Sequence, residues 1–173
     1  MRAFYARFLS IRDLEVPTIA ALNGPAIGAG LAVACACDIR VAAPDAKLGI
    51  TFVGLGLPPG MGSTHFLPWI LGPQGASDMI LTGRIVDGEE AAARGLVLKT
   101  AEDPLEAAKA IAAGVARQAP LAVRAATRAL RLQQNVGLDE ALRREADSQV
   151  CSAWKSRQRR GCCRSMAHGQ SAS

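Results

Sequence analysis

IAALNGPAIGAGLAVACACDIRVAA runs from Ile19 to Ala43. It reads as a buried strand, a glycine-rich turn, a short apolar helix and a second buried strand. Almost no side chain in it can do chemistry. What it offers a ligand therefore comes mostly from the backbone, because glycine and alanine let another molecule approach N–H groups at a helix start. That combination suits an oxygen anion.

On the N-terminal side, residues 3–14 place Phe4, Phe8, Leu9 and Ile11 at helical spacing, and Pro17 ends that helix before the strand TIAAL. Asn23-Gly24-Pro25 is a turn signal. On the C-terminal side, Asp45 to Gly49 reads as a turn and a short strand. Residues 52–63, FVGLGLPPGMGS, form a Gly/Pro-rich loop that cannot be regular helix or strand. Two helical patches follow, THFLPWIL and GASDMILT, with Pro68 at a helix end or kink. Asp87 to Gly95 is a short helix with Asp87 as N-cap and Gly95 as stop. Leu96-Val97-Leu98 is a strand, and three helices follow over Pro104–Gln118, Leu121–Gln134 and Leu138–Val150. Strand–helix alternation at the front and helices at the back predict an α/β fold with a C-terminal helical subdomain. No internal repeat is visible. The expected division is a core over 1–102, the helical subdomain over 103–150 and a tail over 151–173.

The formal net charge of +5 has one location. Lys155, Arg157, Arg159, Arg160 and Arg164 lie after residue 150, where there is no Asp or Glu, and the remaining 15 basic residues equal the 15 acidic ones. A basic tail suits nucleic acid, an anionic membrane or plain solvation. Aromatic residues are only 4% of the chain, which argues against stacking on nucleic acid. The tail reads as disordered, or as a frame-shifted or alternatively spliced end. Half of the residues are hydrophobic, so a packed core is expected. No unbroken apolar run is long enough for a membrane span, and the charged N-terminus lacks a secretory signal. Cys35 and Cys37 read as small core residues, and neither they nor Cys151, Cys162 and Cys163 have metal-ligand spacing. No metal site is expected.

Several residues admit two readings. Gly24, Gly28 and Gly30 do not have the spacing of a phosphate-binding loop, which leaves a tight turn with close helix–strand packing or, for Gly28 and Gly30, an oxyanion site. His65 follows Ser63-Thr64, but residues two apart on a helix do not face each other, which favours a packed or surface histidine. Asp38 ends the apolar helix and is expected to bond nearby backbone rather than act as a base. Met61 and Leu57 either line a pocket or simply pack.

Taken together, residues 17–100 resemble the enoyl-CoA hydratase/isomerase family, or crotonase superfamily. PTIAALNGPAIGAGLAVACACDIRVAA, DAKLGI, LGLPPGMGST, the helix ending ILTGR, and IVDGEEAAARGLV occur in family order and spacing. The three C-terminal helices fit as well. The resemblance implies a crotonase-like ββα spiral, partial in this chain, with a helical trimerisation region. It also implies acyl-CoA thioester ligands and a place in fatty acid metabolism. Coenzyme A would enter as part of the substrate, with no separate cofactor. The implied setting is the cytoplasm or mitochondrial matrix, and the implied assembly a trimer-based homo-oligomer.

The mechanism implied is polarisation of the thioester carbonyl by two backbone N–H groups, each worth about 10²–10³ in rate. In this sequence one donor would be the N–H of Ala29, flanked by Gly28 and Gly30. The family's other donor and its adenine-gripping loop precede the segment where Met1 falls, so the resemblance implies an N-terminally truncated member. Family hydratases also use two glutamates, and the matching positions here are Ala32 and Phe52. Family isomerases keep a carboxylate at a position that here is Gly60. General acid–base groups contribute roughly 10²–10⁴-fold each, so little hydration is expected. Ala32, Phe52, Leu57, Pro58 and Met61 would instead make an apolar acyl-binding wall. The resulting expectation is a family protein that binds acyl-CoA with doubtful hydratase activity. The alternatives are a non-catalytic acyl-CoA-binding or subunit-assembly protein, and a truncated inactive product.

Overall fold

A computed structural model describes residues 2–150 of the chain; the tail expected over 151–173 lies outside the described residues. Helix α1 covers Arg2–Leu9 and passes into a 3₁₀ turn over Ser10–Asp13. The expected helix over 3–14 is thus shorter and changes type before Pro17. Its buried face is also different: Tyr5 and Leu9, one turn apart, enter the core, while Phe4 and Phe8 stay half exposed and stack edge-on at 4.7 Å. Aromatic content alone did not say which stripe faces inward.

The centre is built from two ββα turns. Strand β1 (Ile19–Leu22), strand β2 (Ala26–Ile27) and helix α2 (Ala29–Ala36) make the first. Strand β3 (Ile39–Ala42), strand β4 (Leu48–Gly49) and helix α3 (Ser63–Thr82) make the second. Strand β5 (Ile85–Val86), helix α4 (Gly88–Ala93) and strand β6 (Lys99–Thr100) follow. One sheet has the order β1-β3-β6, with β1 parallel to β3 in the register Ile19↔Ile39 to Leu22↔Ala42. The other has the order β2-β4-β5, parallel at β2–β4 and antiparallel at β4–β5. Successive turns therefore stack strand on strand, a repeat carried by geometry and invisible as sequence similarity. Two-residue strands such as β2 and β5 are too short for any period-2 signal.

Two further expectations need correction. Leu96-Val97-Leu98 is not itself a strand: Leu96 and Val97 are buried side chains in a turn, Leu98 N donates to Arg40 O, and β6 begins at Lys99. The break in α3 falls at Gly72 (φ 70°, ψ 169°), not at Pro68. Pro73 lacks the N–H that a continuous helix would need, and glycine before it absorbs the reversal. Asp87 does cap α4, accepting from Glu90 N at 2.9 Å.

Helices α5 (Pro104–Ala116) and α6 (Pro120–Asn135) follow, and helix α7 covers residues 138–150. The core is one cluster in which Leu31, Leu48, Ile50, Leu67, Met79 and Val86 are fully buried. Among the described residues, no helix is long and apolar enough to cross a membrane.

Candidate functional site

The turn into α2 is where backbone N–H groups become available. Gly28 stands before the helix with φ 59° and ψ −114°, a conformation essentially reserved for glycine. Its own N–H is committed to Gly49 O at 2.8 Å, tying the turn to β4. Its carbonyl accepts from Ala32 N at 3.0 Å and starts the helix. The N–H groups of Ala29 and Gly30 lie in the first turn, with no helical carbonyl one turn behind them. No side chain caps this end. Ala29 and Gly30 are exposed, while Gly28 is buried. The result is an accessible, partially positive helix start.

Phe52 covers the flank of this turn. A Cβ placed on Gly28 would lie 3.7 Å from Phe52 Cζ and 3.9 Å from Cε1. Phe52 opens a 3₁₀ turn over Phe52–Leu55, and its carbonyl accepts from Leu57 N at 3.0 Å. Phe52, Leu57 and Pro58 are partly exposed along the loop that leaves the Gly28 turn. Ala32 and Met61 are different. Ala32 is fully buried in the core, and Met61 is buried with a left-handed backbone (φ 60°). Gly28, Ala29, Gly30 and Phe52 are thus brought together, whereas Ala32 and Met61, expected to line the pocket, are buried in the core.

Gly60 has no room for a side chain. An added Cβ would collide with Gln149 Nε2 and Tyr5 Oη. No carboxylate can stand at position 60 without displacing that pair. A cavity of about 500 Å³ between β1 and α5–α6, lined by Val16, Ile19, Leu105, Ala112, Val115 and Val123 among others, does not include the Gly28 turn.

The other candidates are structural. Asp38 accepts from Thr18 N at 2.6 Å and Thr18 Oγ1 at 2.9 Å, as its backbone-bonding reading expected. It also meets the buried Arg131 guanidinium, at 2.9 Å from Nε and 2.5 Å from Nη2. Burial pushes the Asp38 carboxyl up, but the hydrogen bonds from Arg131 and Thr18 outweigh it and hold the carboxyl below the usual range. Arg131 also donates to the carbonyls of Arg12, Leu14 and Val16, fastening the segment before β1. His65 is packed, its Nε2 at 2.5 Å from Gln134 O and its ring edge-on to Phe66. Burial pushes the Cys35 thiol up to about 12, so it is inert core. Among the described residues, no group of His, Cys, Asp or Glu could hold a metal ion.

Sequence reasoning missed the residues that hold the loop. Glu145 on α7 accepts from Gly62 N at 2.6 Å, Thr64 N at 2.9 Å and Thr64 Oγ1 at 2.5 Å. Gln149, one turn later, donates to Pro58 O at 3.0 Å and accepts from Tyr5 Oη at 2.6 Å. One signal was present: 138, 141, 145 and 149 fall on one helical stripe, and two polar residues on it imply buried partners.

A spiral of ββα turns with an uncapped, accessible helix start after its first two strands defines a crotonase-like fold. A family model for enoyl-CoA hydratase/isomerase matches residues 1–167, and the chain belongs to that family. It is 42% identical over 139 residues to the probable enoyl-CoA hydratase of Mycobacterium tuberculosis, covering 79% of this chain and 54% of that protein. It is 39% identical over 143 residues to crotonyl-CoA hydratase of Syntrophomonas wolfei, covering 82% and 55%. An enoyl-CoA hydratase structure from Mycobacterium avium subsp. paratuberculosis superposes with a TM-score of 0.81 at 29% identity, over 88% of this chain and 63% of that one. The chain spans about half the length of these two curated relatives.

Proposed function

We propose that this chain binds the acyl group of a coenzyme A thioester at the start of α2, with Ala29 N–H donating to the thioester carbonyl oxygen. The observation that carries this reading is the turn itself. Gly28 spends its N–H on Gly49 and adopts a glycine-only conformation, leaving the next N–H groups exposed and uncapped. Phe52, Leu57 and Pro58 supply an apolar flank for the acyl chain. Coenzyme A enters only as part of this ligand.

Hydration is the weaker half of the reading. Ala32 and Phe52 stand where family hydratases keep glutamates, and neither transfers a proton. A carboxylate at position 60 would have to displace the hydrogen-bonded Gln149–Tyr5 pair. Losing both general acid–base groups removes roughly 10²–10⁴-fold each. The chain is therefore a binder of acyl-CoA with little or no hydration by the usual route. As part of the same reading it assembles as a trimer-based homo-oligomer, which analytical ultracentrifugation tests.

Titration calorimetry with octanoyl-CoA, alongside loss of the conjugated absorbance of crotonyl-CoA, tests the whole. Heat of binding without enoyl turnover is the expected pair. A folded sample giving no heat overturns the binding reading, and turnover at an ordinary enzyme rate overturns the loss of hydration.

A further inference from the structure

Helix α7 reaches the pocket loop through two buried polar side chains one turn apart. Glu145 draws together Gly62 N, Thr64 N and Thr64 Oγ1, all within 2.9 Å. Its carboxylate supplies the N-terminal cap that α3 otherwise lacks, since no side chain of α3's own N-cap residue does so. Gln149 holds Pro58 O and is itself oriented by the Tyr5 hydroxyl. Between these two anchors lie Gly60, against which the Gln149–Tyr5 pair packs, and Met61 in a left-handed conformation. A non-glycine residue at positive φ needs surroundings that over-determine it, and anchors on both sides provide that. From Pro58 the loop returns through Leu57 N to Phe52 O, and Phe52 flanks Gly28.

We infer that Glu145 and Gln149, with Tyr5, are positioning residues that set the acyl-side wall of the site by fixing the backbone from Pro58 to Thr64. They act through the loop, so their removal changes how the acyl chain is held while leaving the Ala29 donor in place. The inference rests on the acyl-thioester reading of the Gly28 turn and adds a selectivity determinant to it.

The test compares octanoyl-CoA with acetyl-CoA by calorimetry on the full chain and on Gln149→Ala, Tyr5→Phe and Glu145→Gln. The last keeps size and one acceptor oxygen, and stands in where complete removal prevents folding. Loss of one such hydrogen bond corresponds to about a three- to tenfold change in equilibrium. Octanoyl-CoA affinity is expected to fall about three- to tenfold in Gln149→Ala, with acetyl-CoA affinity unchanged and hydrogen exchange accelerated over residues 57–64. Equal weakening of both ligands, or no weakening in a folded variant, overturns the inference and leaves the binding reading intact. If the unaltered chain binds neither ligand, the binding reading falls and takes this role with it.

Discussion

Asp38, after helix α2, and Arg131, on α6, form a two-point ion pair across 93 positions, with Nε–Oδ1 at 2.9 Å and Nη2–Oδ2 at 2.5 Å. The pair joins the helical region to the parallel sheet, because Asp38 also takes two hydrogen bonds from Thr18 at the entry to β1. Arg131 side-chain exposure is 6%, so removing Asp38 strands a buried cation. Asp38→Ala is expected to cost about 3 kcal/mol in urea unfolding, and Arg131→Ala a similar amount.

The same pair predicts an acid limit. The Asp38 carboxyl is held below its ordinary 3.8 in the folded chain. A depressed folded value means that its stabilisation is present above the unfolded value and is lost as the pH falls through the folded one. Stability should therefore drop as the pH goes below about 4, and Asp38→Asn should flatten that part of the profile. Urea midpoints measured from pH 6 to pH 2 check both.

Gly28→Ala is expected to destabilise the chain by about 1–3 kcal/mol, because φ 59° with ψ −114° is open essentially to glycine alone. The space beside it is not the obstacle, since Phe52 Cζ lies an ordinary 3.7 Å away. The strain is in the backbone, so Phe52→Ala should not rescue it. Thermal unfolding of the two single variants and the double variant reads this directly.

Gly60→Ala tests a different kind of crowding. Gly60 has no positive φ, so only the collision with Gln149 and Tyr5 opposes a methyl group. Overpacking of this sort costs typically about 1–3 kcal/mol. In a Gln149→Ala background the cost should shrink, giving a coupling of about 1 kcal/mol or more in a double-mutant cycle. Strict additivity would contradict the packing described.

Cys35 should resist thiol reagents in the folded chain, since burial raises its thiol to about 12 and excludes the reagent. Peptide mapping after maleimide treatment, with and without urea, should show Cys35 labelled only on unfolding.

The strand–turn–helix–strand reading of Ile19–Ala43 was legible in the residues, because apolar runs, a Gly/Ala-rich turn and a helix-stop Asp are local signals. So was the Asp87 cap, whose side chain answers an N–H only three residues away. Pairing was not local. The stacking of β1 on β3 and β2 on β4 depends on two ββα turns of different sequence sharing one geometry.

The pocket loop shows the boundary most clearly. Composition marked residues 52–63 as a loop, but its first four residues form a 3₁₀ turn and Ser63 already belongs to α3. Composition could not say that Gln149 and Tyr5 pack against position 60, or that Glu145 caps α3 across 83 positions. The place of Glu145 and Gln149 on the apolar stripe of α7 hints at burial, but not at which partners they meet. Their roles come from desolvation: once α7 packs its Leu138, Ala141 and Ala146 face inward, Glu145 and Gln149 are carried into the interior and must find partners there. By itself, then, the sequence determined the order of most elements and the backbone character of the Gly28 turn, because those signals are local. Tertiary packing decided which distant side chains hold that backbone in place.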